Sequence, residues 1–152
     1  MKGWWIAVAV VLLLAGCRVE PVGSIVVDTP RKGWSEAVEL RYDNADTLGV
    51  YTIGVVLSVE NDLVAESVAL RVGCTSPSGA TTEGRLVLTA PERHSGGSFT
   101  ELAAEWVSGA RLPESGDYLF TLTPEKEQNG VWMAGVSLRT MDLENNNDYG
   151  KR

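Results

Sequence analysis

The chain has 152 residues, 44% of them hydrophobic and 22% charged, the balance of one ordinary globular domain rather than a disordered or fibrous chain. Its formal net charge is −7, which repels phosphate backbones and argues against nucleic acid as a partner. Two cysteines and one histidine are too few for a structural zinc site, and the composition implies no metal and no cofactor.

The first segment is a leader. Lys2 supplies a positive start, and residues 3–16 form an uncharged apolar run of 14 residues. A membrane-spanning helix needs about 20 such residues, so the run suits the apolar core of a secretion signal instead. Its end reads Leu14-Ala15-Gly16-Cys17, which resembles the bacterial lipobox: a leucine and two small residues that fit a narrow peptidase cleft, then the cysteine whose thiol receives diacylglycerol. Residues 1–16 are expected to be removed and Cys17 to become the lipidated first residue, so that losing Lys2 takes the net charge from −7 to −8. Two or more acyl chains hold a protein stably on a bilayer, where one does so only marginally. Residues 17–23 then form a tether that contains Pro21 and Gly23. Six extended residues reach about 20 Å, so the domain is expected to sit close to the membrane. Arg18 stands where an aspartate would signal inner-membrane retention in enteric bacteria, which points to the outer membrane.

From residue 24 to residue 141 the sequence reads as strands. Residues 24–28 are a first candidate. In residues 38–42, apolar and charged side chains alternate. Over residues 51–60 one face carries Tyr51, Ile53, Val55, Leu57 and Val59, opposite Thr52, Gly54, Ser58 and Glu60. Val68, Leu70, Val72 and Cys74 form another face; Leu86, Leu88 and Ala90 follow, then Tyr118, Phe120 and Leu122. Trp132, Ala134, Val136 and Leu138 close the series. Turn signals separate these runs at residues 43–46, 60–62, 76–79, 95–98 and 128–130. Seven or so strands without a long helix predict an all-β fold, an antiparallel β-sandwich of jelly-roll or immunoglobulin-like type. The one helix candidate is residues 99–107, where Leu102, Ala103 and Trp106 fall at helical spacing; an irregular crossover strand fits equally well. Residues 114–118 suit a corner in which the Tyr118 hydroxyl ties down the loop. Residues 142–152 read as a flexible polar tail.

Chemistry-bearing residues are sparse. His94 neighbours Ser95, but adjacent loop residues point apart and no third group is identifiable to orient the ring, so no catalytic set forms. Cys74 is in phase with a core face and is expected to be buried as a small hydrophobe; as an odd cysteine in a secreted protein, a reactive thiol or a dimer link is its alternative. Residues 142–148 place oxygen ligands at alternate positions but lack the glycine and the closing glutamate of a calcium loop. Among the aromatics, Trp106 and Trp132 are in phase with apolar faces. Trp34, in the turn-like residues 31–35, is the one candidate for exposure and for contact with a ligand or partner, though packing into the core or an edge is the favoured reading.

The order of features resembles the gliding-motility lipoprotein H (GldH) family of the Bacteroidota, in which a lipobox precedes one small β-sandwich. The pieces that carry the likeness are Gly33-Trp34 before the strand at Val38, the strand opened by Tyr51-Thr52-Ile53, and the turn Ser76-Pro77-Ser78-Gly79. Residues 114–120 and the closing glycine-rich apolar strand, residues 130–139, complete them. Residues 59–64 and 124–128 depart from it, lacking an arginine–asparagine pair and a methionine–arginine pair respectively. The resemblance implies a non-enzymatic envelope lipoprotein, held on the membrane by Cys17 and acting as a protein–protein interaction module in gliding or type IX secretion machinery. Its partner would be another envelope protein. A surface lipoprotein that binds glycan through Trp34 or another exposed aromatic is the alternative, because exposed aromatics on a sandwich can stack on sugar rings.

Overall fold

The computed structural model describes residues 23–63, 66–91 and 97–141. Eight strands follow one another: β1 (Gly23–Asp28), β2 (Val38–Asn44), β3 (Val50–Glu60), β4 (Ser67–Thr75), β5 (Thr81–Thr89), β6 (Phe99–Arg111), β7 (Gly116–Pro124) and β8 (Val131–Thr140). A single turn of 3-10 helix, Asn61–Leu63, follows β3. The strands form two four-stranded antiparallel sheets, one ordered β1-β8-β3-β6 and the other β2-β7-β4-β5. Pairing is nested: β4 with β5, β3 with β6, β2 with β7 and β1 with β8. That is one long hairpin rolled up on itself, so of the two sandwich types it is the jelly roll.

The period-two faces do what such faces must. Along β3 every second side chain is buried, from Tyr51 to Val59. Val68, Leu70 and Val72 of β4 meet them from the other sheet together with Phe120 and Leu122 of β7. A fully buried side chain of this kind contributes about 1.5–3 kcal/mol, and this shared interior is what holds the sheets face to face. The Tyr118 corner is present: its hydroxyl accepts a hydrogen bond from the Glu114 amide at 3.0 Å.

One element settles on the second of two readings open to it, and one differs from expectation. Residues 99–107 are strand, not helix. Thr100, Leu102, Ala104 and Trp106 alternate inward along β6, and the register against β3 slips between Ile53↔Val107 and Gly54↔Glu105. The slip adds one residue beyond Glu105; the helical look came from Leu102 and Trp106, which at a spacing of four share a face in a strand as they would in a helix. Trp106 then reaches across the open side of the sandwich towards β5, where a Cβ on Gly84 would stand 2.8 Å from its indole nitrogen. In β8 the register passes from Ser58↔Met133 to Val59↔Val131. Val131 therefore takes the core position and Trp132 is shifted to the rim, half-buried.

Trp34 takes the core position favoured for it, which removes it as a candidate ligand or partner contact. It is 1% exposed and among the largest side chains of the core. Gly33 adopts φ of 70°, a left-handed bend open to glycine, and the turn delivers the indole inward. There its Nε1–H donates to the Glu36 carbonyl at 2.9 Å, while the Trp34 backbone bridges Gln128 in both directions. A ring enclosed in this way offers no platform to a sugar.

Candidate functional site

Strand direction separates the sandwich into two ends. Gly23 pairs with Leu138, Leu138 with Ile53, and Ile53 with Val107, so the chain joins β1 at the end of the roll where these four lie. This near end also carries the end of β8 and the connections 45–49, 76–80 and 112–115; the connections 29–37 and 125–130 lie at the far end. The lipobox residues Leu14, Ala15 and Gly16 and the lipidation candidate Cys17 lie outside the described residues, as do His94 and the calcium-like residues 142–148. Among the described residues no helix is long and apolar enough to cross a membrane, and no group of three or more His, Cys, Asp or Glu could hold a metal ion.

The far end holds an aromatic cluster that sequence reasoning missed. The Arg31 guanidinium lies 3.3 Å from the centroid of the Trp132 ring. Phe99 meets the same indole edge-on, with ring centroids 4.8 Å apart and planes at 74°. The β8 bulge turns Trp132 to the rim, the start of β6 supplies Phe99, and Arg31 arrives from the β1–β2 connection, whose Arg31 carbonyl accepts the Gly130 amide. Phe99 is 38% exposed and Met133, the next residue of β8, is 40% exposed. The Trp132 Nε1–H is buried without a hydrogen-bond partner, an expense of about 1–3 kcal/mol. An arginine on an indole face is worth about 0.5–2 kcal/mol, more as water is removed. Arg31 was legible only as part of a turn, and Phe99 only as the start of a supposed helix.

The outer faces of the two sheets differ in charge. On the β2-β7-β4-β5 sheet, Glu39, Arg41, Asp43, Asp117, Arg71 and Arg85 face water, with an Arg85–Glu125 ion pair at 2.7 Å and a looser Arg41–Asp117 pair at 4.0 Å. On the other sheet, the row Val26–Gly135–Val56–Ala103 crosses all four strands without a charge. Val26 is 58% exposed there. A shallow groove of about 290 Å³ follows above Gly54, between Ala103, Ser137 and Arg139.

The near end holds a second feature, a cavity of about 330 Å³ opening between the sheets. Ile53, Val107, Ala110 and Leu112 give it apolar walls, and Cys74, Ser76, Arg111 and Glu114 also line it. Cys74 keeps the inward phase expected of it but is half-buried, because it faces this cavity rather than the packed core. Burial alone pushes its thiol up to about 11, so it stays protonated and reacts only slowly near neutral pH. The Glu114 carboxyl is held below the usual range by hydrogen bonds from Ser76 and Ser78; the Ser78 amide and hydroxyl reach its two oxygens at 3.1 and 2.9 Å. The wall at residues 112–114 is fixed by Asn44, fully buried, whose Nδ2 donates to the Leu112 and Glu114 carbonyls at 2.8 and 2.9 Å.

No known protein family and no curated protein matches the chain. Among solved structures it is similar to the tumour necrosis factor Eiger of S. frugiperda, at 10% identity over 83% of this chain and 97% of that one, with a TM-score of 0.34. It is also similar to the enzymatically active domain of tailspike protein 4 of bacteriophage CBA120, at 10% identity and a TM-score of 0.34; 79% of this chain is covered but only 18% of the tailspike. Likenesses this remote carry no function across.

Proposed function

We propose that the protein is a non-enzymatic lipoprotein of the cell envelope, anchored through Cys17, most naturally in the outer membrane, whose jelly roll is a protein–protein interaction module like that of gliding lipoprotein H. The observation that carries this reading is the Arg31–Trp132–Phe99 cluster at the end of the roll opposite Gly23. A domain tethered through β1 turns that far end away from the bilayer. Arginine, tryptophan and methionine are enriched where protein interfaces bury their centres, and a few such residues carry most of the affinity. A membrane-bound partner would meet the cluster at raised effective concentration, so a modest intrinsic affinity suffices. Glycan binding loses ground, because Trp34 is enclosed and the Trp132 face is already covered by Arg31.

The test is a photo-crosslinker placed beside the cluster in intact cells, followed by reconstitution with the purified partner so identified. Phe99→Ala or Arg31→Ala is expected to weaken that complex by roughly 2 kcal/mol, about 30-fold, as hot-spot truncations do. Cys17→Ala should abolish lipidation and lower crosslinking in cells while leaving the purified affinity unchanged. A complex indifferent to both cluster variants would overturn the reading. So would a glycan-array hit lost on Phe99→Ala with no protein crosslinked.

A further inference from the structure

The near-end cavity has the build of a ligand site that the interaction reading does not use. Its volume of about 330 Å³ falls within the range of small-molecule pockets, which are mostly apolar with a few placed polar groups. Ile53, Val107, Ala110 and Leu112 make an apolar trough, and Cys74 lines it with a soft, weakly polar atom. Charge stands at the lining in two places only, and they are not equivalent. The Glu114 carboxylate is already engaged by Ser78. The Arg111 side chain is exposed and forms no ion pair among the described residues, where Arg41 and Arg85 each do. Glu114 keeps its negative charge in those hydrogen bonds, so Arg111 is the one cation of the lining and the one group there that an anionic head can meet above the apolar trough.

We infer that this cavity takes one acyl chain with an anionic head, the chain lying between Ile53, Val107 and Leu112 and the head meeting Arg111. The Gly23–Leu138–Ile53–Val107 row puts the cavity wall three strands from the point where the tether joins β1, about 14 Å at the usual strand spacing. A free fatty acid and a chain of a bilayer phospholipid share this chemistry. Access to the second rests on the anchored reading, since a tether of about 20 Å keeps this end of the roll near the headgroups; access to the first does not.

Cys74 is a built-in reporter. In the full-length chain carrying Cys17→Ser it is the sole thiol, since the sequence has two cysteines. The rate at which N-ethylmaleimide labels it, followed by mass spectrometry without detergent, reads occupancy. Sodium dodecanoate is expected to slow labelling saturably. Arg111→Gln should weaken that protection about tenfold, the worth of a charge-assisted hydrogen bond, and leave protection by uncharged dodecanol unchanged. Ala110→Phe should protect Cys74 with no ligand present; Ala80→Trp, an exposed position on the cavity lining, gives the same readout if the first fails to fold. For the lipidated wild type, protection in phosphatidylglycerol vesicles alone assigns the chain to the bilayer, and protection only on adding dodecanoate assigns it to a free acid. Labelling unaffected by dodecanoate, or protection indifferent to Arg111→Gln, overturns the inference even if Cys17 proves lipidated. Protection in a protein whose Cys17 proves unmodified keeps the site and removes only the anchor.

Discussion

Replacing Trp34 by alanine separates a core residue from a binding residue. The side chain is 1% exposed, and a tryptophan buries about 150–250 Å². At about 25 cal/mol per Å² that is a transfer ceiling of roughly 4–6 kcal/mol. Truncations of large aromatics in packed cores cost about 3–5 kcal/mol, because the surroundings collapse only partly. The lost indole bond to the Glu36 carbonyl adds little, since Glu36 is exposed and water can replace the donor. The Trp34–Gln128 backbone bridge does not depend on the side chain and should persist. Trp34→Ala should therefore lower stability by about 3–5 kcal/mol, as a shift of the urea midpoint at unchanged slope. Its melting temperature should fall by about 10 °C, at roughly 2–4 °C per kcal/mol for a chain of this size. A loss below about 1 kcal/mol would refute the enclosure of the ring and return Trp34 to the surface, where loss of binding without loss of stability is the expected signature.

Two further outcomes follow from buried groups. Tyr51 is pushed up from 10.0 to about 12, chiefly by burial and then by Tyr42, and Cys74 from 9.0 to about 11 by burial. Both are neutral in the fold, so the stability they contribute is complete below about pH 9 and is lost as pH rises through 11 and 12. Urea midpoints measured up the alkaline range should fall in that window, and a flat profile would contradict it; Cys74→Ala should remove the lower part of the fall. Asn44→Asp would set a carboxylate against the Leu112 and Glu114 carbonyls in place of a donor. It should cost at least about 3 kcal/mol at neutral pH, as uncompensated buried charges do. Burial raises the new carboxyl's pKa, so the deficit should shrink on acidification; a variant as stable as its parent would show that Asn44 does not hold the wall.

The strands were legible wherever burial is one-sided. Tyr51 to Val59 alternate without a break because β3 lies inside its sheet with one face on the core. The choice between jelly roll and immunoglobulin-like sandwich was not legible, since alternation fixes which face is buried and not which strand lies beside which. The unsettled or missed readings fall where a spacing suits two structures, where one residue is added or where one backbone angle changes sign. The four-residue spacing of Leu102 and Trp106 suits strand and helix alike, the bulge opposite Val59 moved Trp132 from core to rim, and φ of 70° at Gly33 turned the Trp34 ring inward. The far-end cluster joins Arg31, Phe99 and Trp132, positions far apart in sequence that only the nested pairing brings together. The near-end cavity was invisible for the same reason, though the inward phase of Cys74 located one of its walls.

The rolled hairpin also explains why two different chemistries can share one small domain. In an antiparallel roll of eight strands, successive connections alternate between the ends. The near end receives 45–49, 76–80 and 112–115, short links that Asn44 and the Tyr118 corner tie to the sheets. Such links hold a cavity wall in fixed shape. Among the described residues the far end receives 29–37, 61–63 and 125–130, and from them and the adjoining strand ends come Arg31, Phe99 and Trp132. Strands of about ten residues set the two ends roughly 30 Å apart, well past the range of 7–10 Å over which substitutions couple through shared contacts. The buried side chains of β3, β4 and β7 lie between them, so far-end loops can change while the near end keeps its form. The near-end cavity and the far-end cluster are thus separate by construction, and the Arg111 and Phe99 substitutions report on different events.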